Sequence, residues 1–187
     1  MFDIVQSGLV KLNLALNSDK SCCMRVGPRC DAPCINIVTL DGNELRWTKE
    51  MRYLGIYITA GRDFACSIDM AKKSFNRACN AILGKLLGIA SEDLIVHLIK
   101  IKCMPILLYG SEACSLNKRK LGSLDFSLIR FAMKVFKTGN AVLVRDTLQM
   151  FGFELPSEVI PSRSLRFMER FAAVDNLMRQ TAQLLFS

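Results

Sequence analysis

Cysteine is the first residue type in this chain whose spacing suggests chemistry. Four of the eight cysteines lie close together in the sequence, at Cys22, Cys23, Cys30 and Cys34. Structural zinc sites usually contain C-x-x-C pairs, and these spacings form none. The single histidine, His97, is distant in the sequence. We therefore favour packed or loop thiols over a zinc site, and predict no bound metal.

Carboxylates are the second group that could do chemistry. Closely spaced carboxylates could hold divalent metal ions for catalysis. The chain contains no Asp-Asp pair, and Glu92-Asp93 is its only adjacent acidic pair. Ser91 precedes that pair, which is typical of a helix start, because a hydroxyl caps free amides and acids favour the positive end of the helix dipole. We predict no complete catalytic site and no cofactor in this chain.

Basic residues are concentrated in one part of the sequence. The net charge is +8, and residues 70–137 hold twelve basic and four acidic side chains, so this segment carries the whole excess. A localised basic excess favours an anionic partner, although a solvated helix face is the alternative. The candidates for phosphate contact are Lys72, Lys73, Arg77, Lys85, Arg130, Lys134 and Lys137.

The predicted secondary structure contains strands in the first third of the chain and is helical after that. A short helix from about Phe2 to Leu12 is followed by alternation at Leu14 and Leu16 that is typical of a strand. Asp41-Gly42-Asn43 separates two apolar segments and predicts a hairpin. The segment Met51–Ile58 has the strongest strand pattern, with Gly55 suggesting a bulge or close backbone approach.

After Gly61 the apolar period becomes helical. One stripe extends from Ile68 to Leu86, and a second helix after Ser91 carries Leu94, Leu98 and Ile101 until Pro105 kinks it. Further helices are predicted at residues 118–136 and 141–150, and from about 162 toward the end. The predicted fold class is α+β, mainly α, with a small antiparallel β-sheet followed by a helical bundle.

Membrane and secretion signals do not stand out in the sequence. The longest apolar run, Cys103–Tyr109, is far shorter than the roughly 20 residues of a helical span. The start of the chain lacks the basic and apolar segments of a secretory signal. We predict an intracellular protein with reduced cysteines and no membrane partner, and the sequence does not distinguish the nucleus from the cytoplasm.

Three blocks, in order, resemble reverse transcriptases of non-LTR (LINE-like) retrotransposons. Residues Leu12–Ser21 are similar to the Leu-Gly-Leu-x-x-Asn-x-x-Lys-Ser/Thr segment that follows the family's active site. Met51–Ile58 is similar to the Tyr-Leu-Gly strand of the primer-grip region. Ile106–Glu112 is similar to a block in the thumb. No block is specific alone, but their order and spacing agree with the family.

The resemblance implies a domain organisation and several residue roles. Residues 1–62 would be the end of a palm, with a β-hairpin and a primer-grip-like strand containing Tyr53, Leu54 and Gly55. Residues 63–138 would be a helical thumb that grips template–primer duplex, and residues 139–187 a helical extension. Lys20 matches the family lysine that assists the leaving pyrophosphate, here interpreted as vestigial.

Departures from the family pattern limit what the resemblance implies. The family's catalytic aspartates, including Tyr/Phe-x-Asp-Asp, lie upstream of the segment that begins here at Leu12, and Asn13 replaces the family's glycine. The intact family enzyme would use Mg²⁺. We therefore expect a C-terminal fragment without polymerase activity, with residual affinity for RNA–DNA or other duplex and self-association through an exposed sheet edge. The alternative is a non-enzymatic basic helical module that binds nucleic acid or an acidic protein.

Overall fold

The computed structural model describes residues 2–173 of the chain. The fold is mixed α/β with helix predominating, which confirms the predicted α+β, mainly α class. The chain divides into two compact units, unit 1 (Met1–Ser67) and unit 2 (Ile68–Ser187). The predicted regions 1–62, 63–138 and 139–187 stay predictions, and residues 174–187 of the last lie outside the described residues.

Unit 1 begins with helix α1 (Phe2–Lys11), as predicted. Two hydrogen bonds close its C-terminus: the Asn13 N–H donates to Val10 O (3.0 Å) and the Leu14 N–H donates to Leu9 O (2.9 Å). This pair of bonds is a Schellman motif, in which the first residue beyond the C-cap adopts a left-handed conformation. Asn13 supplies it with φ 55°. Asn13 therefore occupies a conformation that glycine favours and that asparagine tolerates better than most residues.

The first small sheet of unit 1 contains three short strands in the order β1-β3-β2. The predicted hairpin is confirmed, because Ile37 pairs antiparallel with Leu45 across the Thr39–Asn43 turn. The sheet is not purely antiparallel, however, since Cys22 pairs in parallel with Arg46. The predicted strand at Leu14 and Leu16 is wrong, and residues 14–17 are irregular. The strands are β1 (Cys22–Cys23), β2 (Ile37–Val38) and β3 (Glu44–Trp47).

The second sheet corrects the prediction of one long strand over Met51–Ile58. That segment is a hairpin in which Tyr53 pairs with Ile56 across a two-residue turn. Leu54 (φ 46°) and Gly55 (φ 86°) both have positive φ, the pattern of a type I′ turn, whose twist matches that of antiparallel strands. Leucine is not typical of the first position of a type I′ turn, so residue preferences did not predict this turn. The strands are β4 (Glu50–Tyr53), β5 (Ile56–Thr59) and β6 (Ala65–Ser67).

Unit 2 is helical and contains a continuous apolar core. Side-chain acceptors cap three of its helices: Ser91 Oγ accepts from Leu94 N, Asn117 Oδ1 from Lys120 N, and Asn140 Oδ1 from Val142 N. The elements are α2 (Asp69–Leu86), α3 (Glu92–Leu98), a π-helical turn (Ile99–Cys103), α4 (Met104–Leu108), a 3₁₀ turn (Ser111–Ala113), α5 (Lys118–Val135), α6 (Ala141–Met150) and α7 (Pro156–Ala173). The helix predicted from residue 162 therefore begins earlier, at Pro156.

Pro105 interrupts the helical segment in a specific way. The proline has no N–H to donate, and the backbone just before it widens into the π-helical turn that joins α3 to α4. The predicted apolar face of this segment is wrong. Leu94 and Ile101 are 47% and 50% exposed, whereas Ile95 and Ile99 are buried. The buried residues therefore follow the predicted ones by one position in the sequence, so the buried face is rotated by about 100° round the helix.

The helical segment Glu92–Ala113 is long and apolar enough, by length and composition, to cross a membrane. A search for continuous apolar runs misses it because Lys100 and Lys102 interrupt the run. In the fold, however, 44% of its apolar window is buried inside the protein, and Ile99, Cys103 and Leu107 belong to the core of unit 2. Core helices of folded proteins share these properties. The prediction that no membrane is involved stays a prediction.

Candidate nucleic-acid interface

A groove between α2 and α5 collects basic and amide side chains within unit 2. Its volume is about 380 Å³. Each helix contributes a row of residues at four-residue spacing, and residues four apart lie on the same face of a helix. The "basic groove" is defined by Lys72, Asn76 and Asn80 of α2 and by Phe126, Arg130 and Lys134 of α5, with Ser127 and Phe131 completing its lining.

Two of the three cations of the groove contact the opposite helix. Lys72 Nζ donates to Ser123 Oγ at 2.8 Å, and Lys134 Nζ donates to Asn80 Oδ1 at 3.5 Å. Each bond joins one helix to the other. The third cation is positioned differently, since the Arg130 guanidinium lies 5.8 Å from the centroid of the Phe126 ring. The short bond to Ser123 therefore orders Lys72 before any ligand arrives.

The charge of the groove is of one sign. None of its lining residues is a carboxylate, so three positive charges face a shared recess. Asp125 is adjacent in sequence to Phe126, but it is buried and its Oδ1 accepts a hydrogen bond from Ser157 N at 2.9 Å. A concave surface of one charge raises the local concentration of counter-ions. Phosphate groups are ligands that such a surface favours.

The groove brings together three of the seven predicted phosphate-contact residues, Lys72, Arg130 and Lys134. Lys73 and Arg77 are exposed on α2 but follow Lys72 and Asn76 by one position, which places them about 100° further round the helix. Lys85 and Lys137 are also exposed and do not line the groove. Sequence reasoning missed Asn76, Asn80 and Phe126, although their four-residue spacing from the cations was a usable signal.

The predicted sites in unit 1 have different surroundings. Lys20 is exposed, and its backbone N–H donates to Asn17 Oδ1 at 3.0 Å, which closes a local turn. Tyr53 and Leu54 are 58% and 73% exposed at the tip of the β4–β5 hairpin. The expectation of a bulge at Gly55 is therefore wrong, because Leu54 and Gly55 form the turn of the hairpin. Their assignment to a primer grip stays a prediction.

Six of the eight cysteines are free thiols, in two environments, whereas Cys66 and Cys114 are disulfide-bonded, so the prediction of reduced cysteines is wrong for these two. Cys22, Cys23, Cys30 and Cys34 are half-buried free thiols of unit 1, and burial, with the nearby Cys22 and Cys34, raises the pKa of Cys23. Cys79 and Cys103 are fully buried free thiols of unit 2, and burial is the main cause that raises the pKa of each. In residues 2–173 no group of three or more His, Cys, Asp or Glu side chains could hold a metal ion.

Comparison with known proteins assigns no family to this chain. No family model, no curated protein and no solved structure matches it. The resemblance to non-LTR reverse transcriptases therefore depends on the three sequence blocks alone, and the binding hypothesis depends on the geometry and charge of the basic groove.

Proposed function

We propose that this chain corresponds to the palm end and thumb of a non-LTR reverse transcriptase, and that unit 2 binds RNA–DNA or other duplex nucleic acid through the basic groove. The observation that carries the proposal is the groove itself. Two helices place Lys72, Arg130 and Lys134 around one recess without a carboxylate among the lining residues.

The chemistry of the groove supports a phosphate ligand. Arg130 carries a planar guanidinium that can donate two parallel hydrogen bonds to phosphate oxygens, while Lys72 and Lys134 act as point charges. Because the hydrogen bond to Ser123 already restrains Lys72, less side-chain entropy of this lysine is lost when a ligand binds. Binding through phosphates is independent of base sequence, as the family's thumb requires.

One backbone feature of unit 1 supports the family part of the proposal. Asn13 stands where the family's block has glycine, and it adopts a left-handed conformation with φ 55°. Glycine is the residue that reaches this conformation at least cost, and asparagine is a common substitute. The departure from the family pattern at this position is therefore conformationally conservative. We propose a binding role for this chain and no polymerase activity of its own.

A binding titration at two salt concentrations tests the proposal. Three neutralised phosphates predict that the affinity for a fluorescein-labelled RNA–DNA hybrid falls about 40-fold between about 50 mM and about 200 mM salt. Affinity that does not change with salt, or no binding at the lower concentration, would refute it. An excess of a polyglutamate peptide should compete poorly, whereas efficient competition would favour the acidic-protein alternative.

A matched pair of variants locates the binding surface. The triple variant Lys72→Gln, Arg130→Gln, Lys134→Gln removes the cations of the groove and should abolish most of the salt dependence. The control Lys102→Gln, Lys118→Gln, Arg119→Gln removes the same charge from exposed positions of unit 2 outside the groove. Equal losses in both variants would indicate a general effect of net charge and not a site.

A further inference from the structure

An exposed aromatic ring distinguishes the basic groove from a surface that only neutralises phosphates. Phe126 lies within α5 and is 58% exposed, whereas Leu124 and Leu128, two residues away on either side, are buried in the core. Exposure of a phenyl ring to water is unfavourable by roughly 25 cal/mol per Å² of apolar surface. The core does not need this ring, so the ring is available to contact a ligand in the groove.

The surroundings of Phe126 are those of a stacking platform. The Arg130 guanidinium lies over the ring, 5.8 Å from its centroid, and arginine contributes such cation–π contacts in sites that bind unpaired bases. Asn76 and Asn80 line the opposite wall from α2. Amide side chains carry both donors and an acceptor, which allows them to hydrogen-bond the edge of a base.

The size of the groove restricts what can enter it. Its volume of about 380 Å³ is near the lower end of the range for small-molecule sites. A base pair inside a duplex hides the faces of both bases against its neighbours, so its rings cannot stack on Phe126. An unpaired base exposes its face, and its own phosphate would lie within reach of the lysines that border the same recess.

We propose that the basic groove binds one unpaired nucleotide, whose base stacks on Phe126 while its phosphate contacts Lys72 or Lys134. This inference rests on the proposed nucleic-acid binding and specifies its ligand. It predicts that the chain prefers an RNA–DNA hybrid with a short single-stranded overhang over the same hybrid with blunt ends. An abasic overhang keeps the phosphates but lacks bases, so the chain should bind a hybrid with such an overhang about as tightly as the blunt hybrid.

The test measures the affinity of the full chain for three hybrids: blunt, with an overhang, and with an abasic overhang. Stacking of one base predicts a preference for the overhang of between about 5-fold and about 150-fold. Phe126→Ala should remove the preference by lowering the affinity for the overhang hybrid more than the affinity for the blunt hybrid, whereas Phe126→Tyr should retain the preference. The fluorescence of a 2-aminopurine in the overhang should be quenched when the parent chain binds, but not when the Phe126→Ala variant binds.

The outcomes separate this inference from the proposal on which it rests. Salt-dependent binding without any preference for the overhang would overturn the stacking inference and leave the proposed function intact. A Phe126→Ala variant that weakens blunt and overhang binding equally would also overturn it, because that pattern indicates a structural role. If no hybrid binds at low salt, both are wrong. The urea midpoint of Phe126→Ala should equal that of the parent chain, since the ring is largely exposed.

Discussion

Lys72 of α2 and Ser123 of α5 are joined by a hydrogen bond of 2.8 Å, donated by the lysine Nζ to the serine Oγ. The two residues are 51 positions apart in sequence, and both are half-buried. This bond connects two helices of unit 2 and fixes a positive charge at the edge of the basic groove. The same contact therefore contributes to stability and to the electrostatics of the candidate interface.

Removal of the serine hydroxyl should separate these two contributions. Ser123→Ala leaves the charge of Lys72 but frees its ammonium group, and we expect the free energy of unfolding to fall by about 1 kcal/mol. Affinity for the RNA–DNA hybrid should fall only a few-fold, because the cation is still present. Urea denaturation followed by circular dichroism and the binding titration measure the two effects. Ser162→Ala, at an exposed position of α7, is the control.

Asp125 should contribute to the stability of unit 2 through one buried hydrogen bond. Its carboxylate is buried on α5 and accepts the Ser157 N–H at 2.9 Å, which satisfies a free amide in the first turn of α7. Asp125→Ala should lower the free energy of unfolding by about 1–3 kcal/mol. Asp125→Asn keeps an acceptor oxygen and should lose less. An equal loss in both variants would contradict this assignment.

The type I′ turn of the β4–β5 hairpin predicts opposite effects at its two central positions. Leu54→Asn places a residue that tolerates positive φ at φ 46° and should stabilise unit 1 by about 1 kcal/mol. Gly55→Ala introduces a Cβ at φ 86° and should destabilise it by about 1–2 kcal/mol. Trp47, the only tryptophan, lies in unit 1, so its fluorescence during urea unfolding reports on both variants.

Buried thiols should make the stability of unit 2 depend on alkaline pH. Burial raises the pKa of Cys79 and Cys103 in the folded chain, so both stay protonated when the thiols of the unfolded chain begin to ionise near pH 8.5. Since the unfolded state then binds fewer protons, the free energy of unfolding should fall above that pH by up to about 1.4 kcal/mol per pH unit for each thiol. Urea midpoints measured from pH 7 to about pH 10 test this.

The variant Cys79→Ala provides the matching control for this pH dependence. It should be less stable than the parent chain at every pH, because a buried side chain is truncated. Its stability should nevertheless fall less steeply above pH 8.5, because one titrating thiol has been removed. Parallel pH profiles for the two proteins would show that the buried thiols do not cause the alkaline loss of stability.

Residue types and their periodicity were enough to predict most helices and the location of the charge. The stripe in residues 118–136, the cap at Ser91 and the Asp41-Gly42-Asn43 turn are local features, and the corresponding elements α5, α3 and the β2–β3 hairpin are present. Local features of this kind depend on a few neighbouring residues. The basic excess of residues 70–137 is likewise a property of composition.

Tertiary packing decided what these patterns left open. Leu94 and Ile95 both fit an apolar stripe, and only the neighbouring helices of unit 2 determine that Ile95 is buried. The strand pattern of Met51–Ile58 is compatible with one long strand or a hairpin, and pairing of Tyr53 with Ile56 selects the hairpin. The basic groove exists only because α2 and α5 pack side by side. A sequence specifies which residues share one face of a helix, but which faces meet depends on contacts between residues far apart in the chain.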